Sequence, residues 1–195
     1  MTESADGGFE DGGFEEAFDY GRVQHEPCPV CGHDTSAVPA GDLAALAVDT
    51  GRNWFLFLTT VCDHPGGRAD LRVRQSAGVW SALEYGCHVR DVLALFTRRV
   101  EVTLLTDRPS YDWWDHDGAV TSNHYAEQDP VAVAEDIERS ADNLARLVQP
   151  LTPRQLSREG TRLDTTFTVE GLVRFAIHEA LHHLADARAV VPATS

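Results

Sequence analysis

The amino-acid sequence predicts an all-α protein built around one four-helix bundle. Four segments of about 20 residues each carry helical start and stop signals, and no run of residues has the alternating pattern of a strand. With 195 residues, of which 43% are hydrophobic, the chain is long enough to bury one core of ordinary size. We therefore expect a bundle domain over residues 42–188, preceded by two shorter segments.

The first of these segments, residues 1–24, is predicted to be a disordered acidic tail. The first 20 residues contain seven acidic side chains and no basic one, and the sequence Gly-Gly-Phe-Glu occurs at 7–10 and again at 12–15. A segment of this composition buries too little apolar surface to offset the loss of chain entropy on folding.

The second segment, residues 25–41, is a turn-rich element around Cys28 and Cys31. The Cys-x2-Cys spacing, with Pro between the cysteines and Gly after them, is typical of half a zinc knuckle. A full site needs further ligands, and two pairs are candidates: His25 and His33 nearby, or Cys62 and His64 beyond the first helix. Two free thiols in a structured turn are the alternative.

The first two helices are bounded by strong local signals. The first begins at Asp42 and stops before the breaker Asp63-His64-Pro65-Gly66-Gly67. The second begins after Ser81, because Ser81 and Glu84 form a capping box in which each side chain satisfies a free backbone N–H group. The capping box explains Glu84 without a role in metal binding.

The last two helices also begin at recognisable caps. The third opens at Asp129-Pro130, with Asp as the N-cap and Pro as the first helical residue, and it ends at Pro150. The fourth opens near Thr168 and runs to about Arg188. Between the second and third helices lies a long polar and aromatic connection, residues 106–128. Connections of this length in a compact domain are usually functional or mobile.

Three histidines are the candidate metal ligands. His178 and His182 are four residues apart on the fourth helix, so both imidazoles lie on one face. His183 points about 100° away from His182 and is a poor third ligand from this helix. His88 on the second helix is the best candidate for the third ligand. Three protein ligands with one exchangeable position are typical of catalytic zinc, although a His-x3-His pair also arises on ordinary helix surfaces.

Charge and hydropathy exclude several function classes. A net charge of −15 repels phosphate groups, so neither nucleic acid nor an anionic membrane is an expected partner. The longest apolar run, Trp54 to Leu58, is far shorter than the ~20 residues that span a bilayer, and the acidic N-terminus is unlike a signal peptide. We therefore expect a cytoplasmic protein whose cysteines are thiols or metal ligands.

Two stretches of the sequence carry the motifs of a known family. One is Trp80-Ser81-Ala82-Leu83-Glu84-Tyr85-Gly86-Cys87-His88-Val89, and the other leads from Phe167-Thr168-Val169-Glu170 to His178-Glu179-Ala180-Leu181-His182-His183. They resemble the second-helix and fourth-helix motifs of the DinB-like superfamily of metalloenzymes. The resemblance covers roughly residues 26–187 and includes features of an actinobacterial branch, such as the Cys-Pro-x-Cys-Gly element.

This resemblance implies an up-down-down-up four-helix bundle with a three-ligand metal, zinc or nickel. Carried over by motif position, the ligands are His88, His178 and His182. Some members are thiol-dependent transferases or isomerases, among them mycothiol-dependent maleylpyruvate isomerase, in which the metal activates a low-molecular-weight thiol. In that relative a Glu replaces the residue that corresponds to His178. Bundle relatives are often dimers, so a homodimer is a further expectation.

The leading functional hypothesis is a metal-dependent enzyme that acts on a small molecule, in a specific form a mycothiol-type transferase or isomerase. Asp115, His116 and Tyr125 in the long connection are candidates for proton transfer or substrate contact, and Arg162 is a candidate for binding a carboxylate. A solvated loop is the alternative for these residues. The alternative function is a non-catalytic metal-binding module that engages a protein partner through the Cys-x2-Cys element and the acidic tail.

Overall fold

The structure is a computed structural model that describes residues 21–64 and 67–191. In chain order, its helices and strands are α1 (Leu43–Cys62), α2 (Gly67–Asp70), α3 (Ala82–Leu105), α4 (His116–Ser122), α5 (Pro130–Val148), α6 (Pro153–Leu156), β1 (Glu159–Arg162), β2 (Thr165–Thr168) and α7 (Val169–Val190). None of the helices within these ranges has the length and apolar character needed to cross a membrane.

The four long helices α1, α3, α5 and α7 form the bundle, with up-down-down-up directions. The start of α3 lies beside the end of α1. This is shown by Gly86 of α3, where an added Cβ atom would lie 3.3 Å from the side chain of Leu58 on α1. The same glycine lies beside Val133 at the start of α5, so α3 and α5 run parallel. Ring contacts show that α3 and α7 are antiparallel: Phe96 with Phe175, and His88 with His183. The predicted all-α fold class is confirmed.

Helices α3, α5 and α7 begin at the capping residues that the sequence predicted. Ser81 and Glu84 form the capping box of α3, with the Ser81 N–H donating to Glu84 Oε2 at 2.8 Å. Asp129 caps α5 ahead of Pro130, and Thr168 caps α7. These starts are encoded locally, because each cap satisfies backbone N–H groups of its own first turn.

A fully buried tryptophan lies at the centre of the bundle. Trp54 on α1 has no exposed surface, and its indole N–H donates a hydrogen bond to the carbonyl oxygen of Ala180 on α7 at 2.8 Å. Close packing of α1 against α5 depends on Gly51, where a Cβ atom would lie 2.5 Å from that of Ala141. The core therefore fixes how α1 lies against both neighbouring helices.

The N-terminal element, residues 21–41, packs on α7. Residues Arg22–Gln24 form a short 3-10 helix in which Val23 and Gln24 are buried, although the sequence assigned them to the acidic tail. Gln24 fits there because Gly171 of α7 has no side chain: a Cβ atom at this position would lie 1.8 Å from the Gln24 amide oxygen. Residues 1–20 of the predicted tail lie outside the described residues, and the predicted domain boundaries remain predictions.

A short hairpin, β1–β2, precedes α7 and was not expected from the sequence. Its strands are four residues each, too short to show a clear alternating pattern. The hairpin is fastened to the segment between α3 and α4, since the Tyr111 N–H donates to the Thr161 carbonyl oxygen and the Thr161 N–H donates to that of Pro109, both at 2.8 Å. This attachment holds Arg162 close to that segment.

Replacing Glu84 with glutamine is expected to destabilise the protein by about 1–2 kcal/mol at neutral pH, because it removes a charge-assisted hydrogen-bonded pair. Glu84 is buried and accepts hydrogen bonds from Arg74 Nε at 2.7 Å and Nη2 at 2.6 Å. Burial raises the pKa of Glu84, but Arg74 and Ser81 outweigh it, so the net pKa is lowered.

The sign of the pH dependence follows from this lowered pKa. The ionised carboxylate stabilises the fold above the unfolded pKa of about 4.3, and this contribution is lost as the pH falls through the folded pKa. Urea unfolding at pH 7 and at acid pH measures both effects, and the wild type and Glu84→Gln should converge in acid. The control is Glu101→Gln, whose exposed pair with Arg98 at 3.4 Å should contribute less than about 0.5 kcal/mol.

Candidate metal centre

Helix α7 presents two adjacent stripes of functional side chains. Phe175, Glu179 and His183, four residues apart, line a cavity next to α3. His178 and His182, each one position earlier, lie beside the cysteines of the N-terminal element. A shift of one position turns a side chain by about 100° around a helix, so one helix serves two separate clusters.

The first cluster, His88 with Glu179 and His183, joins α3 to α7. Glu179 Oε2 lies 3.7 Å from His88 Nε2 and 3.7 Å from His183 Nε2. One ligand atom from each of the three residues lies within 4.8 Å of the others. The orientation of the His183 ring is fixed by its other nitrogen, because Nδ1 forms a hydrogen bond with Asp186 Oδ2 at 2.9 Å. A carboxylate behind a ligating imidazole is the usual support of a metal site.

The charge states of this cluster suit a divalent cation. Burial raises the pKa of Glu179, but the three surrounding histidines outweigh it and hold the pKa well below its usual value, so the group is a carboxylate. Burial lowers the pKa of His88 and keeps that imidazole neutral. Burial also lowers the pKa of His183, yet Asp186 and Glu179 outweigh it and raise the value to about 9. A metal ion held by His183 would displace the proton from that imidazole.

His88 also has an unsatisfied ring nitrogen. Its Nδ1 is buried and has no hydrogen-bond partner among the described residues. Leaving such an atom unpaired costs about 1–3 kcal/mol. The nitrogen that lies beside Glu179 is the other one, Nε2. A carboxylate and two imidazoles are a donor set that fits zinc or nickel.

The cluster forms one wall of a cavity of about 180 Å³. Aromatic rings enclose His88: Trp114 stacks on its imidazole with ring centroids 5.4 Å apart, and Trp80 lies at 5.1 Å. Trp114 comes from the connection between α3 and α4. The connection therefore contributes the ring that stacks on His88, together with other residues that line the cavity.

Two arginines line the same cavity. Arg99 is 6% exposed, and its Nη2 donates to the carbonyl oxygen of Asp112 at 3.0 Å. Burial lowers the pKa of Arg99 to about 10, and the nearby positive charge of Arg162 adds to this shift. The Arg162 guanidinium stacks over Trp113 at 4.7 Å. Neither arginine forms an ion pair with a carboxylate in the part of the chain that the structure describes.

The four predicted catalytic residues divide into two groups. His116 and Arg162 line the cavity, and the His116 ring lies 5.9 Å from that of His88. Asp115 and Tyr125 are not among the lining residues. Asp115 caps α4 by accepting the Gly118 N–H at 2.9 Å, and Tyr125 is buried, with its hydroxyl donating to Asp91.

The second cluster joins Cys28 and Cys31 to His178 and His182, with ligand atoms within 4.8 Å of one another. The cysteines therefore have neither His25 and His33 nor Cys62 and His64 as their partners in this cluster. Cys87 is buried in the hydrophobic core.

The three predicted histidine ligands are thus divided between two clusters. His178 and His182 are together, as the spacing predicted, but His88 is grouped with Glu179 and His183 instead. The reason is geometric: the fourth helix carries two pairs with i,i+4 spacing, one position apart, and the stripe that faces α3 is the Glu179–His183 pair. The i,i+4 spacing is the same in both pairs, and no other feature of the sequence indicates which pair faces α3.

Comparisons with known proteins agree with this architecture. The model of the DinB superfamily matches residues 56–187. Among solved structures, the chain is similar to YfiT from Bacillus subtilis, described as a probable metal-dependent hydrolase with an unusual four-helix bundle topology. The TM-score is 0.70 at 15% sequence identity, over 87% of this chain and 95% of that chain, which shows a shared fold. No curated protein matches the sequence.

Proposed function

The chain belongs to the DinB superfamily, and on that premise we propose that it is a metal-dependent enzyme whose divalent ion is held by His88, Glu179 and His183. The observation that carries the proposal is the position of this cluster on the wall of an aromatic cavity that also contains two arginines without carboxylate partners among the described residues. One carboxylate and two imidazoles leave a coordination position for an exchangeable ligand, as in catalytic zinc sites.

When bound, such an ion polarises a carbonyl group or lowers the pKa of a water or thiol ligand. Side chains of the protein orient the ligands, exclude water and transfer protons. Asp186 fixes the His183 ring, and Trp80 and Trp114 exclude water from the His88 side. His116 lines the same cavity and would move a proton to or from a bound molecule.

The cavity favours a small substrate that carries a carboxylate. Arg99 and Arg162 supply two positive charges, and planar guanidinium groups bind carboxylates through paired hydrogen bonds. Phe96 and Phe175, stacked at 4.7 Å, supply an apolar wall for the rest of the molecule. A volume of about 180 Å³ suits a compound of modest size.

Within this reaction class, the glutamate ligand favours a thiol-dependent form. Mycothiol-dependent maleylpyruvate isomerase, a member of the family that the sequence resembles, has a Glu at the position that corresponds to His178, directly before Glu179. Adding mycothiol to the cobalt-loaded protein should perturb the cobalt spectrum, and the perturbation should be absent in His88→Ala. An unchanged spectrum would remove the thiol-dependent form and leave metal dependence in place.

Metal analysis tests the proposed function directly. Native mass spectrometry of the full-length His88→Ala variant should show one metal ion fewer per chain than the wild type, because one of three ligands is lost. The control is His124→Ala, whose exposed ring belongs to neither cluster. Equal metal content in His88→Ala and the wild type would refute the proposal.

Replacing Arg162 with glutamine is expected to weaken the binding of a small aromatic carboxylate such as benzoate by about 10-fold or more, since a charged hydrogen bond contributes roughly 1.5–3 kcal/mol. Quenching of the fluorescence of Trp113 and Trp114 would measure the binding. Arg108→Gln is a matched control, because Arg108 is exposed and pairs with Glu159 at 2.9 Å. Equal affinities of the wild type and Arg162→Gln would exclude Arg162 as the carboxylate site.

The alternative of a partner-binding module draws no support from the cysteines. Cys28 is 2% exposed and faces α7, so its sulfur does not point towards an approaching protein. The predicted homodimer, cytoplasmic location and absence of nucleic-acid binding remain predictions.

A further inference from the structure

The second cluster lies outside the cavity and plays no part in the proposed reaction. Cys28 Sγ lies 3.8 Å from His182 Nδ1, and Cys31 Sγ lies 3.6 Å from His178 Nε2. Zinc bonds of about 2.3 Å to sulfur and 2.0–2.1 Å to nitrogen at tetrahedral angles place sulfur and nitrogen ligands roughly 3.6 Å apart. These two sulfur–nitrogen separations are therefore close to the spacing of ligands around a tetrahedral zinc ion, and all four ligand atoms lie within 4.8 Å of one another.

The loop that carries the cysteines is shaped to present two sulfurs together. The Gly32 N–H donates to the Cys28 carbonyl oxygen at 2.9 Å, and Gly32 has a φ of +74°, a conformation that favours glycine. The Cys28 N–H donates to the carbonyl oxygen of His33 at 2.9 Å, which closes the turn. Both cysteines are free thiols rather than a disulfide.

Each histidine of the cluster has a carboxylate behind it. His178 presents Nε2 to the cysteines, while its Nδ1 lies 3.5 Å from Glu179 Oε1. His182 presents Nδ1 to the cysteines, while its Nε2 lies 3.5 Å from Asp186 Oδ2. This order of metal ligand, imidazole and carboxylate is the arrangement that orients histidines in metal sites.

We propose that Cys28, Cys31, His178 and His182 bind a structural zinc ion that fastens the N-terminal element to α7. Two thiolates and two imidazoles complete a tetrahedron and leave no position for substrate, which distinguishes this site from the one in the cavity. Binding releases the thiol protons to solvent as the sulfurs coordinate the ion.

The zinc complements a second attachment on the same stripe of α7. Arg174, one turn before His178, is 7% exposed, and its guanidinium donates to the carbonyl oxygens of Thr35 and Val38. The N-terminal element is thus held by Arg174 at one point and by the ion at another. Because His178 and His182 directly precede Glu179 and His183, the same ion fixes the rotation of α7 that aims the cavity ligands.

Cobalt substitution of the full-length protein tests this proposal. Cobalt bound by cysteine produces a thiolate-to-metal charge-transfer absorption, which a site made of imidazoles and a carboxylate does not. The wild type should show this absorption, and Cys28→Ser and Cys31→Ser should lose it together with one metal ion per chain. His88→Ala should retain the absorption, so failure of this site and failure of the cavity site are distinguishable. Cys62→Ser, a change at a cysteine outside the cluster, should also retain it.

A second measurement uses the unmodified chain, in case the serine variants do not fold. Zinc should protect Cys28 and Cys31 from alkylation by iodoacetamide, and removal of zinc with a chelator should expose them, whereas Cys62 should react equally in both states. Absence of the charge-transfer absorption from the cobalt-loaded wild type, its persistence in the Cys28→Ser/Cys31→Ser double variant, or zinc-independent alkylation would overturn the proposal.

Discussion

Replacing Glu179 with glutamine is expected to weaken metal binding in the cavity by more than about 100-fold, because loss of even an outer-shell partner of a ligand typically costs 10–100-fold. Glutamine keeps the shape of the side chain but removes the negative charge that lies 3.7 Å from both His88 Nε2 and His183 Nε2. Titration of the metal-free protein with zinc, in competition with a chromophoric chelator, measures the affinity. Any metal-dependent activity should fall in parallel.

The matched control is Glu135→Gln, which changes an exposed carboxylate on α5. The thiolate-to-cobalt absorption should persist in Glu179→Gln at saturating cobalt, because both sulfur ligands of the other cluster remain. Cobalt binding there should weaken by no more than about 10–100-fold, since Glu179 also lies 3.5 Å from His178 Nδ1. A zinc affinity in the cavity within about threefold of the wild-type value would contradict the assignment of Glu179 as a ligand, given the loss expected for a ligand.

Replacing Trp54 with alanine should destabilise the metal-free protein by about 3–5 kcal/mol, the usual cost of deleting a large buried aromatic side chain. Trp54 has no exposed surface and connects α1 to α7 through its hydrogen bond to Ala180. For a chain of this size the melting temperature should fall on the order of 10 °C. Urea unfolding in the presence of a chelator measures the change without a contribution from bound metal.

Two further variants separate the causes of this loss. Trp54→Phe keeps most of the apolar volume but removes the N–H donor, and it should cost about 1–2 kcal/mol. Trp113→Ala, at a side chain that is 60% exposed, should change stability by less than about 0.5 kcal/mol. A Trp54→Ala protein as stable as the wild type would show that this side chain does not lie at the centre of the core.

Local sequence signals predicted the fold well because helix starts are short-range features. The caps at Ser81, Asp129 and Thr168 begin α3, α5 and α7 as expected. The hairpin β1–β2 and the helix Arg22–Gln24 were not expected, because both are held by partners remote in sequence. At Gly160 of β1, for example, an added Cβ atom would lie 2.0 Å from the Tyr111 hydroxyl oxygen. The absence of a side chain at Gly160 therefore lets Tyr111 pack against the strand.

The candidate site shows the same division between local and remote information. The sequence predicted His88, His178 and His182 as metal ligands and judged His183 a poor ligand, and it singled out Cys28 and Cys31. It did not assign Glu179 or Arg99 to the site. Arg99 carries no sequence signal, because its role depends on the buried cavity that it shares with Arg162.

The sequence by itself determined that the chain is an all-α bundle, where its long helices begin, and which residue types are available to bind metal. These properties depend on interactions between residues that are close together in the sequence. Only the tertiary structure decided that the histidines of α7 divide between two clusters, because the rotation of α7 about its own axis is set by packing against α3 and the N-terminal element. A turn of about 100° would bring His178 and His182 to the side that now faces α3, and no local interaction along the chain specifies that angle.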